Sequence, residues 1–174
     1  MTRTWTSKRC VSERVIGFSA AVLTCGLAAL AVAQDGWVTA SPDGAGFRVR
    51  FPASFRHAHE DHSDADGLWV NHSYRASSPA GAYQVTMKDY ARYDIAGVQI
   101  DAVLDATCRG AGLTVTAAPS ATSRRCELST GRESTRAEVY WSAPRIYVVT
   151  SVCSPSACDA AERDQFHRSF ALHP

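Results

Sequence analysis

Apolar and polar residues alternate along several short segments of this chain, a pattern typical of half-buried β-strands. The segment Phe47–Phe51 alternates strictly and stops at Pro52, and Tyr83, Val85 and Met87 fall on one face of another segment. Short turns rich in Ser, Pro and Gly separate these segments, so we expect antiparallel hairpins. The pattern predicts strands over residues 37–40, 47–51, 67–76, 82–90, 113–117, 124–129, 139–141 and 145–152.

Two segments show the period of a helix instead. Residues 98–109 carry apolar residues at helical spacing and run into a Gly-Ala-Gly sequence that ends a helix. A second helix is expected near the end of the chain, with Ser156 as its N-cap and Asp159 in the capping-box position. The polar stretch 53–66 is interpreted as a loop with room for one extended stretch. With strands joined by turns and helices set apart, the prediction is an α+β domain with a mainly antiparallel sheet.

The first 33 residues have the organisation of a secretory signal peptide. Four basic residues and one acidic residue precede an uncharged run of 19 residues, Val15–Ala33, which ends in the small-residue pattern Ala-Val-Ala. We therefore predict cleavage after Ala33 and a single domain over residues 34–174. The alternative is a retained anchor, because 19 residues are just long enough to span a bilayer. If the segment is cleaved, we expect the chain to contact a membrane only through this segment and only before cleavage.

Composition matters mainly after this cleavage is taken into account. The whole chain has 174 residues and a net charge of +1, whereas residues 34–174 carry 14 basic and 16 acidic residues, a net charge of −2. Such a balance has no basic footprint for nucleic acid. The hydrophobic content of 45% is ordinary for a globular protein, which argues against wholesale disorder.

Four cysteines remain after cleavage, an even number that in an exported chain indicates two disulfides. Three pairings are open. Short loops close most readily, so Cys153–Cys158 and Cys108–Cys126 are preferred. The compartment predicted from these bonds is oxidising, either the periplasm or the extracellular space.

Motifs spread over residues 37–172 together resemble the PsbP-like fold family, which is named for an extrinsic protein of photosystem II and includes many exported bacterial proteins. The resemblance implies an α/β/α sandwich on an antiparallel sheet and an accessory or binding role rather than an enzymatic one. This chain departs from the family in its four cysteines and in a shorter stretch after Glu133. The motifs are Ser41–Pro52, Tyr83-x-Val85 near Asp89, Leu104–Ala106, Gly131–Glu133, Arg145–Val148 and Phe166-x-x-Ser169-Phe170-x-Leu172.

The residues that suggest chemistry are concentrated in the polar stretch. His57 and His59, two residues apart on an extended segment, would place two imidazoles on one face, a usual geometry for Zn²⁺ or Cu²⁺. His62 and Asp64 complete the candidate metal-ligand set. The competing interpretation is a solvated surface loop without a ligand.

Taken together, the sequence predicts an exported, non-enzymatic protein without a cofactor that binds an envelope protein or a small ligand. No nucleophile elbow of the Gly-x-Ser-x-Gly type occurs. The alternative function is a metal-binding protein or metal-dependent enzyme that uses His57, His59 and His62 with Zn or Cu.

Overall fold

The structure, a computed structural model, describes residues 36–65 and 67–173. The predicted signal peptide and its cleavage site lie outside these residues. No helix in the described ranges is long and apolar enough to cross a membrane. The strands are β1 (Val38–Ala40), β2 (Phe47–Phe51), β3 (Arg56–Asp64), β4 (Gly67–Ser78), β5 (Gly81–Tyr93), β6 (Thr114–Ser120), β7 (Ser123–Ser129), β8 (Ser134–Ser142), β9 (Arg145–Cys153) and β10 (Ala171–Leu172), and the helices are α1 (Ile100–Gly110) and α2 (Ala160–Ser169).

Seven strands form one sheet in the order β3-β4-β5-β9-β8-β7-β6, and neighbouring strands in it are antiparallel. The largely apolar β9 lies at the centre of this sheet, where both of its faces are covered. A smaller sheet has β2 between β1 and β10. The α+β class with a mainly antiparallel sheet is confirmed.

Alternating residues of β9 divide the core between the two faces of the large sheet. Tyr147 and Val149 belong to one hydrophobic cluster, which Phe166 of α2 and the small sheet cover. Ile146, on the opposite face, belongs to a second cluster that contains Leu104 of α1. The large sheet therefore lies between two layers, one with α1 and one with α2, as the family resemblance implies.

Helix α1 is held to the sheet by an apolar side and by one arginine. Leu104 and Cys108, one helical turn apart, are both buried. The Arg124 guanidinium of β7 donates from Nε to Asp105 at 2.8 Å and from Nη2 to Asp101 at 2.6 Å. Both carboxylates lie on α1, so these bonds set the position of the helix along the sheet. The predicted helix in this part of the chain is confirmed.

Helix α2 begins later than expected, and its N-cap is Asp159 rather than Ser156. The Asp159 carboxylate accepts hydrogen bonds from the backbone N–H groups of Ala161 at 2.8 Å and Glu162 at 3.1 Å. The prediction of a Ser156 cap was wrong because the residues between Cys153 and Cys158 form a turn that ends just before the helix.

The polar stretch predicted as a loop with one extended stretch is instead mostly the nine-residue strand β3, which is a second correction. β3 lies at the edge of the large sheet and pairs with β4 from Arg56 opposite Arg75 to Asp64 opposite Gly67. Nearly all of its residues are exposed on both faces. A strand without a buried face needs no apolar alternation, so its sequence lacks the usual strand signal.

In both cysteine pairs the two residues are close enough to form a disulfide bond. The structure joins Cys108 of α1 to Cys126 of β7, with Cα atoms 5.9 Å apart. It also joins Cys153 to Cys158, with Cα atoms 5.1 Å apart, across the turn between β9 and α2. This is the pairing that the short loops favour. The first bond staples α1 to the sheet, and the second ties α2 to the end of the central strand.

Candidate functional site

Three histidines meet on one face of the sheet edge. Side chains alternate along β3, so His57 and His59 project to the same side, and the β4 residue directly opposite His59 is His72. The Nε2 atom of His57 lies 3.2 Å from Nδ1 of His72. The ring centroid of His59 is 6.3 Å from that of His57 and 6.0 Å from that of His72. We call His57, His59 and His72 the histidine face.

The other two predicted metal ligands lie on the opposite side of β3. His62 stacks on Trp69 with ring centroids 3.9 Å apart, and its Nε2 is 3.6 Å from Glu60. Asp64 accepts a hydrogen bond from the Tyr93 hydroxyl at 3.2 Å. The even and odd positions of a strand point to different faces, so the four predicted residues do not form one site. As they stand, no three His, Cys, Asp or Glu side chains of the described chain are arranged to hold a metal ion.

Local packing orients the histidine face. The ring of His57 stacks on Tyr74, a buried core residue, at a centroid distance of 4.4 Å. His72 is half-buried, and its pKa is lowered by burial and by the neighbouring charges of His57 and His59. His57 and His59 are exposed to solvent. The histidine face therefore combines His57, whose ring is held against Tyr74, with His72, whose surroundings favour the neutral imidazole.

A cavity of about 560 Å³ opens beside the small sheet. Three segments far apart in sequence build its walls, namely residues 41–44 with 46–47, residues 142–145 with Tyr147, and His173. The Tyr147 hydroxyl donates to the carbonyl oxygen of Ala45 at 2.9 Å, and the backbone N–H of His173 donates to that of Gly46 at 2.9 Å. These bonds hold the loop and the last strand in place around the cavity.

Arg145 supplies the cationic group of this cavity. Its Nε donates to Asp89 at 2.8 Å, and its Nη1 donates to the carbonyl oxygen of Gly44 at 2.7 Å. The Arg145 side chain keeps 27% of its surface exposed. Burial lowers its pKa, but the hydrogen bond and charge of Asp89 outweigh that effect and leave the pKa raised. No pattern around Arg145 in the sequence indicates this role, because only the fold brings Gly44 and Asp89 beside it.

A serine, a histidine and a carboxylate line up in the core between β9, α2 and β8. The Ser151 hydroxyl is 2.9 Å from Nε2 of His167, whose Nδ1 is 3.9 Å from Glu138. Ser151 is 2% exposed and His167 is 3% exposed. Burial lowers the pKa of His167 to about 4, although the charge of Glu138 acts in the other direction. A buried hydroxyl offers a substrate no approach, so we interpret this line as a core hydrogen-bond network.

The described chain is thus an α+β domain with a polar cavity, lined by both Arg145 and Asp43, and an exposed histidine face. No protein-family model matches it, and no curated protein matches it. A solved structure that matches is the solution structure of cyanobacterial PsbP (CyanoP) from Synechocystis sp. PCC 6803, with 9% sequence identity and a TM-score of 0.48. The match covers 82% of this chain and 96% of that chain. That protein carries the name of the family that the sequence motifs resemble.

Proposed function

We propose that this protein is exported and acts as a non-enzymatic binding protein that holds a small anionic ligand in the Arg145 cavity. The fixed guanidinium in the cavity wall carries the proposal. Arg145 is held in place by Asp89 at Nε and by the carbonyl oxygen of Gly44 at Nη1, and its side chain also interacts with the Tyr147 hydroxyl. A positioned guanidinium is well suited to a carboxylate or phosphate oxygen, because little freedom is lost when the ligand binds.

The size and framing of the cavity agree with this role. Its volume of about 560 Å³ lies within the roughly 300–1,000 Å³ that small-molecule sites occupy. The hydrogen bond from Tyr147 to Ala45 fixes one wall before any ligand arrives. A preformed, polar cavity of this size supports reversible binding of a small molecule.

Export is supported by the first 33 residues and by the cysteines. The basic segment and the uncharged run Val15–Ala33 have the order of a signal peptide. The two cysteine pairs that the structure joins suit an oxidising compartment. Mass spectrometry of protein recovered from a bacterial host expressing the whole chain should find a chain that begins at Gln34. Recovery of the unprocessed chain in the membrane fraction would instead support a retained anchor.

Binding is tested by amide NMR on residues 34–174, which contain both sheets and both helices. Citrate, succinate and inorganic phosphate are the probes. We expect at least one of them to shift the amide signals of Gly44, Gly46 and Arg145 in a saturable way. The same spectra record the probe itself, which a binding protein leaves unchanged and an enzyme converts.

Two variants localise the effect. Arg145→Lys removes the forked guanidinium, and Ser142→Trp fills the cavity from its rim without altering Arg145, so both should abolish the shifts. Arg132→Lys, in an exposed turn, is the matched control and should leave them unchanged. Absence of saturable shifts with every probe, or equal loss in the control, would rule out an anion site at this cavity.

A further inference from the structure

The contact between His57 and His72 has the spacing of two ligands on one metal ion. Their facing ring nitrogens, Nε2 and Nδ1, are 3.2 Å apart. Two imidazole nitrogens on a tetrahedral Zn²⁺, each about 2.0–2.1 Å from the metal, lie roughly 3.3–3.4 Å from each other. The nitrogen spacing therefore already matches that of two ligands on one metal ion. The two rings face each other edge to edge, with centroids 5.5 Å apart, so a modest rotation of both side chains would turn their lone pairs towards the metal.

His59 is placed to supply a third nitrogen. It lies directly opposite His72 in the strand register, and cross-strand neighbours have Cβ atoms roughly 4.5–5.5 Å apart. Its ring is about 6 Å from both other rings, so a rotation of this exposed side chain, without backbone movement, brings it towards them. We propose that His57, His59 and His72 bind one divalent transition-metal ion, Cu²⁺ or Zn²⁺, at the exposed edge of the large sheet.

The choice of metal follows from the ligands and from the openness of the site. Imidazole nitrogen suits Zn²⁺ and Cu²⁺, and for a given nitrogen site Cu²⁺ binds more tightly than the earlier first-row ions. Three histidines leave a further coordination position to water. Asp61 follows His59 on the same side of β3, and its negative charge favours a divalent cation nearby. The proposal does not depend on the ligand proposed for the Arg145 cavity.

Each ring must bind in a defined tautomer. His57 would use Nε2 and keep its proton on Nδ1, whereas His72 would use Nδ1 and keep its proton on Nε2. Without metal, the same pair of atoms can share one proton in a hydrogen bond. Metal binding replaces that hydrogen bond, and in the neutral pair the shared proton moves to the other nitrogen of its own ring. A protonated imidazole cannot bind a metal, so protons compete with the metal and the affinity should fall at acidic pH.

Calorimetric titration of untagged residues 34–174 with CuCl₂ and with ZnCl₂ tests the site. We expect one equivalent of metal per chain, with Cu²⁺ bound more tightly than Zn²⁺. His57→Ala and His72→Ala should each weaken binding at least about tenfold, since loss of a direct ligand exceeds the usual cost of losing an outer-shell contact. His59→Ala should also weaken binding. Electron paramagnetic resonance of the Cu²⁺ complex should show hyperfine coupling to imidazole nitrogens.

His62→Ala is the matched control, because His62 is on the same strand but faces the other way, against Trp69. It should leave the affinity for both metals unchanged. Unfolding temperatures measured in EDTA show whether each variant is folded. Stoichiometric binding that is lost with His72 and kept without His62 establishes the site. Equal weakening by His62→Ala, no effect of His59→Ala, or heats that never saturate would each overturn the proposal.

Discussion

The histidines of this protein occupy two contrasting environments. His57 and His59 lie on an edge strand with their rings in solvent, whereas His167 is 3% exposed and is bound by Ser151 in the core. At the edge, the ring contacts of His57 are with His59, His72 and Tyr74 on the solvent side of the sheet. The ring nitrogens of His167 face protein groups, and burial keeps that ring neutral at physiological pH. The comparison shows that access and burial, rather than residue type, separate a candidate ligand from a structural side chain.

The largest expected effect concerns Glu138, the carboxylate nearest to His167. It receives hydrogen bonds from Arg136 at 2.8 Å and Tyr140 at 2.6 Å, and its side chain is 10% exposed. Glu138→Ala leaves the half-buried Tyr140 hydroxyl and Nη2 of Arg136 without their acceptor, although Arg136 keeps its bond to Asp164, so we expect a loss of about 3–4 kcal/mol in the free energy of unfolding. Urea denaturation measures it. Glu60→Ala, at a residue whose side chain is 71% exposed, is the control and should change stability by less than about 0.5 kcal/mol.

A second prediction concerns pH. His167 has a pKa of about 4 in the folded protein and an ordinary value of 6.5, so between these two the unfolded chain binds a proton that the folded chain does not. Stability is therefore complete above pH 6.5 and falls as the pH drops towards 4, by roughly 3 kcal/mol from this residue.

The contribution of His167 to this loss of stability is best measured by comparison with a variant. Carboxylates contribute to acid destabilisation in any variant, so the relevant quantity is the difference between wild type and His167→Gln. The variant should lose less stability over this pH range, as measured by urea denaturation at several pH values. If the free energies of unfolding of the two proteins fell equally with pH, burial would not lower the pKa of His167. The contrast between this histidine and the exposed ones would then be wrong.

The smallest expected effect is at the edge. His59→Ala removes an exposed ring that lies near the rings of His57 and His72, so in the presence of EDTA the free energy of unfolding should change by less than about 0.5 kcal/mol. Thermal unfolding gives the comparison with wild type. A larger loss would show that the histidine face holds β3 on the sheet even without metal.

The sequence predicted best those elements whose own side chains are divided between core and solvent. β2 and β5 alternate because one face of each is buried, and α1 has helical spacing because Leu104 is buried against the sheet. The full extent of strand β3 was not predicted, because both of its faces are exposed and its sequence does not alternate. The Asp159 cap was not predicted because Ser156 and Asp159 are both suitable N-cap residues. The turn after Cys153 places Asp159, rather than Ser156, at the start of the helix.

The candidate site was predicted in part. The spacing of His57 and His59 correctly placed two rings on one side of an extended segment. The predicted set added His62 and Asp64, whereas the strand register brings His72 beside the two rings. Register and the assembly of the Arg145 cavity are long-range properties, and a periodicity in one segment carries no information about which distant residues it will meet.

Strand β3 also has a consequence for how copies of this protein meet in concentrated solution. An outer strand exposes a row of unpaired backbone groups that can recruit a matching strand and start aggregation. Here that row is flanked by Glu60, Asp61 and Asp64, with Arg56 at one end. Two such strands brought together would set like charges against each other and lose hydration of the carboxylates. The polar residues that make β3 hard to predict from the sequence thus also help to prevent edge-to-edge pairing between the sheets of two molecules.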